Sequence, residues 1–139
     1  MEGYQWIHPI VGICTLALLG TTAWTKLRPK KRFRLHYALG LLTVAASVVT
    51  IGLGVYTALR VLNECNCTDA FPAVLFAHFP FDDLLLLLIL GQATMGLGML
   101  LFGRKNAIFR VHRFNARIIL SLAALVLATG VTTIIVLLS

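Results

Sequence analysis

The sequence predicts an all-α integral membrane protein, a four-helix up-down-up-down bundle with both termini outside, and three observations carry that prediction. First, the 139 residues are 59% hydrophobic and 12% charged, with a mean hydropathy of +0.91, more apolar surface than a soluble domain of this length could hide. Second, four apolar stretches, about 9–25, 35–62, 80–103 and 112–138, are each long enough to cross a hydrocarbon core of roughly 30 Å as a helix. Third, the charges alternate between connections. Lys26, Arg28, Lys30, Lys31, Arg32 and Arg34 fill the first, and Arg104, Lys105, Arg110 and Arg113 the third, whereas Glu2, Glu64, Asp69, Asp82 and Asp83 fall on the opposite side. The positive-inside rule puts the basic connections in the cytoplasm. The formal charge of +7 is then a record of topology and contributes attraction to anionic lipid. No nucleic-acid partner is expected, because each basic run is clamped between spans.

The first span is preceded by Met-Glu-Gly-Tyr-Gln-Trp, which has neither the basic region nor the cleavage site of a signal peptide. Tyr4 and Trp6 read as interfacial anchors. The chain forms a single domain with no linker. Its longest outer connection, 63–81, contains Pro72 and Pro80, and residues 71–79 read as a short amphipathic or re-entrant piece leading into the third span. If Pro72 opens that helix and Pro80 sits within it, His78 is helical; otherwise His78 lies in the approach. Asp82 and Asp83 then open the third span, where carboxylates suit the positive end of a helix, the alternative being a proton acceptor beside an outer quinol site.

One histidine accompanies each span: His8, His36, His78 and His112. Successive spans cross in opposite directions, so His8 and His78 fall at one surface and His36 and His112 at the other. Small residues recur four positions on, at Gly12, Gly40 and Ala116, leaving room on the same helix face for something broad and flat; close helix packing is the plainer use of such residues. Two histidines per level are too few for a structural zinc, which takes four protein ligands. They suit a haem, whose own nitrogens leave two axial positions for imidazoles. Helices in a bundle pack 8–10 Å apart, so the diagonal of a square bundle is roughly 11–14 Å, a separation that two imidazoles facing one iron require. The diagonals join helices one with three and two with four, which are the pairs that sidedness demands. Histidines at membrane depth are candidates for function.

With His8-Pro9, Arg34-Leu35-His36 and one histidine per consecutive helix, the chain resembles the cytochrome b561 type of transmembrane di-haem electron carriers across essentially its whole length. The resemblance implies two non-covalent haem b groups, His8 with His78 and His36 with His112. The stretch after His78, Phe-Pro-Phe-Asp-Asp, departs from the family pattern, and a single haem would on that account fall to His36 and His112. Arg60 on the outer side, and Arg34, Arg113 and Arg117 on the inner, are candidates to pair with haem propionates through charge-assisted hydrogen bonds, snorkelling being the alternative for Arg60.

Among the cysteines, Cys14 reads as a small packing residue within the first span, while a ring closed by Cys65 and Cys67 across one residue would be strained. No Cys-x-x-Cys-His occurs, so covalent haem is not indicated. Asn66-Cys67-Thr68 fits the glycosylation pattern. The expected function is electron relay across a membrane, in the first instance a prokaryotic cytoplasmic membrane, with quinol or quinone or a redox protein as exchange partner. An anchor subunit of a larger oxidoreductase and a haem-free helical scaffold are the alternatives.

Overall fold

A computed structural model describes residues 6–25, 33–64, 70–103 and 106–138, and all of its regular structure there is helical. The helices are α1 (Ile7–Thr25), α2 (Phe33–Glu64), α3 (Ala70–Phe102) and α4 (Asn106–Leu138). All four are long and apolar enough to cross a membrane, as expected for a multi-pass membrane protein. The side chains turned outward are themselves apolar, among them Ile10, Leu41, Leu87, Phe114 and Ile135, which is stable when the surroundings are lipid.

Two boundaries differ from the sequence expectation by more than two residues. α3 starts at Ala70, ten residues before the predicted span, and runs without interruption through Pro80. Residues 71–79 are therefore not a separate or re-entrant piece, and His78 is helical. Proline supplies no N–H to the carbonyl four residues back, but one missing bond does not end a helix whose flanking residues, Leu75, Phe79 and Leu85, are packed into apolar clusters. A second consequence concerns Asp82 and Asp83. They lie three turns inside α3, so the positive end of the helix is not what places them there. The second boundary is the start of α4 at Asn106, which puts His112 inside the helix and not at its first residue. Gly103, with φ of +80°, stops α3 in a conformation that glycine adopts without strain.

α1 packs on α2 and α4, and α3 packs on the same two helices. The α1–α2 contacts climb one helix as they descend the other. The Thr15 and Thr50 hydroxyls lie 2.7 Å apart, and those of Thr22 and Thr43 3.0 Å apart. Each of these hydroxyls also lies within hydrogen-bond range of the carbonyl four residues earlier, so the hydroxyl pairs join helices with little side-chain freedom left to lose. Such contacts contribute about 0.6 kcal/mol each on average in membranes. The α3–α4 seam is built differently: Asn115 Nδ2 donates to the Leu88 carbonyl and to Gln92 Oε1.

Two apolar clusters divide the interior. Leu19, Leu85, Ile89, Ile119 and Ala123 fill its middle, and Ala58, Val61 and Leu75, with Phe79 and Val136 against them, close one end. Between the two clusters lies a cavity.

Candidate metal and cofactor site

The cavity is about 170 Å³ and touches all four helices, roughly ten times the volume that one enclosed water needs. His8 from α1 and His78 from α3 reach it from opposite sides, and Asp82 joins them. One ligand atom from each of these three residues lies within 4.8 Å of the other two. Much of the remaining lining is aliphatic, including Ile51, Leu86 and Val131.

Each imidazole is held from behind. His8 Nδ1 lies 3.0 Å from the Thr50 carbonyl, an acceptor with no proton to give, so Nδ1–H donates and Nε2 keeps its lone pair. His78 Nδ1 lies 2.7 Å from Thr129 Oγ1. That hydroxyl also lies within hydrogen-bond range of the Leu125 and Val126 carbonyls, so it is fixed in place and holds the rear of the His78 ring. Such anchoring of the rear nitrogen fixes ring orientation for coordination. His78 Nε2 then faces Asp82 Oδ2 at 3.1 Å. The companion carboxylate, Asp83, is exposed.

Glycines of neighbouring helices stand against the rings themselves, while Gly12, four residues after His8, lines the cavity. A Cβ on Gly54 of α2 would meet His8 Cε1 at 2.8 Å, and one on Gly130 of α4 would meet His78 Cε1 at 3.4 Å. Gly40, four residues after His36, has nothing within 4 Å, while Gly12 makes only ordinary contact with Thr50.

The other two histidines lie toward the far end. Thr22 follows His8 by fourteen residues and Gln92 follows His78 by fourteen, a rise of about 21 Å. His36 Nδ1–H donates to the Thr22 carbonyl at 3.0 Å, beside Thr25 Oγ1 at the same distance, so its Nε2 is also bare. His112 differs, because Gln92 Nε2 lies 3.1 Å from His112 Nε2 and 3.1 Å from its carbonyl. An amide N–H only donates, so His112 Nε2 accepts. His36 is thus engaged with α1, and His112 with α3.

The arginines are peripheral. Arg60 is exposed and donates to the Tyr56 hydroxyl at 3.4 Å, while the nearby cavity lining comes from Thr57, Ala58 and Val61. Arg34, Arg113 and Arg117 are exposed, with the Arg113 guanidinium 5.7 Å from the centre of the Phe109 ring. Cys14 lies on the exposed face of α1 instead of packing inside. Trp6 is exposed at the start of α1. Tyr4, the basic run Lys26 to Arg32, Cys65, Cys67, the Asn66 acceptor site, Arg104 and Lys105 lie outside the described residues, as do the side chains of Glu64 and Pro72.

Sequence reasoning missed Thr50, Thr129, Gln92 and Asn115. A signal was present for the last two, since amides are costly within apolar spans unless they have a task. No family model matches this chain, and neither does any curated protein or solved structure.

Proposed function

We propose that the chain is a transmembrane electron carrier holding two non-covalent b-type haems, one between His8 and His78 and one between His36 and His112. In this reading the bundle is up-down-up-down in a cytoplasmic membrane, with both termini and the His8 end outside and the basic connections inside. The observation that carries it is the convergence of His8 and His78, from two helices that each pack on α2 and α4, upon one central cavity with their rear nitrogens anchored. The ligand atoms of His8 and His78 lie within 4.8 Å of one another, and Gly54 leaves the His8 ring space that a Cβ would take. His8 and His78 would hold a haem at this end, with Asp82 turned from His78 Nε2, which it faces at 3.1 Å.

At the other end the fit is partial. His36 presents a bare Nε2, whereas the Gln92 amide occupies the coordinating side of His112, so ligation there requires Gln92 to turn away. If only one haem is held, we propose that it is the one between His8 and His78, where α3 continues unbroken through Pro80.

When bound, haem supplies one-electron redox chemistry. The protein's share is to hold two imidazoles at each level, to surround them with aliphatic side chains that keep water out, and to separate the levels by a packed apolar cluster. Quinol, quinone or a redox protein is the proposed exchange partner. After expression with ample haem, the purified chain is expected to show a Soret band and two b haems per chain by pyridine haemochrome assay. A colourless product overturns the reading.

A further inference from the structure

We infer that His8, His78 and Asp82 form a binding site for one divalent first-row transition ion, of the zinc or cobalt class, in the haem-free chain. His78 Nε2 and Asp82 Oδ2 stand 3.1 Å apart, a spacing bridged by a proton on Nε2 or by a shared metal ion, and Thr129 Oγ1 holds the other ring nitrogen at 2.7 Å in either case.

Three features favour the metal. A third donor is present, because a ligand atom of His8 lies within 4.8 Å of both, and its Nδ1–H is engaged by the Thr50 carbonyl, which leaves Nε2 a lone pair. The distances suit coordination as well: two bonds of about 2.1 Å that span 3.1 Å enclose an angle of roughly 95°, between the octahedral and tetrahedral values. Two imidazoles and one carboxylate are also a donor set that borderline divalent ions accept, with positions left open for water or another ligand, and the cavity beside them supplies that space. The Asp82 carboxylate offsets part of the cost of placing a dication in apolar surroundings.

The site shares its histidines with the proposed outer haem, but the inference stands without that reading. A haem would be held by His8 and His78 without Asp82, so the two occupants would compete for the same imidazoles and Asp82 distinguishes them.

The test uses the full chain in detergent, expressed under haem limitation and carrying Cys14→Ala, Cys65→Ser and Cys67→Ser so that thiols make no contribution. Equilibrium dialysis against Zn²⁺, with Co²⁺ as a spectroscopic probe, is expected to give one ion per chain. Asp82→Asn, which matches the native shape, should weaken binding at least tenfold, as should His8→Ala and His78→Ala, with helicity checked by circular dichroism. Asp82→Glu, which restores the carboxylate, should recover binding. Haem counts in Asp82→Asn made with ample haem should match those of the parent chain. Zero stoichiometry, or unchanged affinity in Asp82→Asn, overturns the inference. A colourless chain that still binds one zinc ion through Asp82 overturns the haem reading alone.

Discussion

The two ends of the bundle carry the same residue type at matching levels and use it differently. At one end His8 and His78 leave their own helices and meet in a cavity bordered by all four. At the other, His36 is bound to the neighbouring α1 and His112 to the neighbouring α3. The difference comes from what the rear nitrogen and the front nitrogen each find. His8 and His36 donate Nδ1–H to a carbonyl and keep a lone pair on Nε2, while His78 is held by Thr129 Oγ1 behind and faces Asp82 in front. At His112 an amide donor already holds Nε2. A histidine within a span is thus a candidate ligand only once its second nitrogen is accounted for.

The largest effect that can break this comparison is loss of a whole haem. His8→Ala and His78→Ala should each remove the same haem, and His36→Ala and His112→Ala the other, read as one haem lost per chain and as the disappearance of one step in a redox titration. If His8→Ala and His36→Ala emptied the same site, the two levels would not exist as assigned.

A smaller effect tests the neighbouring glycines. In Gly54→Ala the new Cβ would stand 2.8 Å from His8 Cε1, so the ring must move, and moving it disturbs the Nδ1–H bond to the Thr50 carbonyl. Affinity at the His8 end should fall about 10–100-fold, the range for loss of ligand support. Gly40→Ala, with nothing within 4 Å of the new atom, should change nothing. Equal losses in both variants would mean that helix packing, not the ring, is being measured.

Gln92→Ala sharpens the comparison from the other side. Losing the Gln92 bonds to His112 and Asn115 should lower thermal stability by about 1–2 kcal/mol, yet haem retention at the His36 and His112 end should rise, because Nε2 is released. A fall in retention would make Gln92 a support for the ligand and not its competitor.

The smallest effect belongs to Arg60→Gln. Positive charge disfavours the ferric state, so removing it should lower the potential of the haem at the His8 end, and the exposed position of Arg60 limits the change to about 1 kcal/mol or less. An equal drop at both haems would signal an effect on the fold.

The four apolar helices, and the approach of His8 to His78, were legible in the sequence because apolar length and the place of each histidine along its helix are properties of the chain read in order. The start of α3 was not. Pro72 and Pro80 are local signals for interruption, and packing of Leu75 and Phe79 into the apolar cluster outweighs one missing hydrogen bond. Asp82 was legible as an unusual carboxylate but not as a neighbour of the His78 ring, since that depends on α3 continuing unbroken and bringing positions four apart onto one face.

By itself the sequence determined that four apolar helices form, that each carries one histidine, and that charge divides their connections, all of which follow from local hydrophobicity. Only the tertiary structure decided that Gly54 and Gly130, and not Gly12 and Gly40, stand against imidazoles, that Thr50 and Thr129 orient His8 and His78, and that Gln92 meets His112. The physical reason is that contacts between helices depend on the rotation and offset of one helix against another. Those are set jointly by every side chain at the interface and cannot be read from either helix alone.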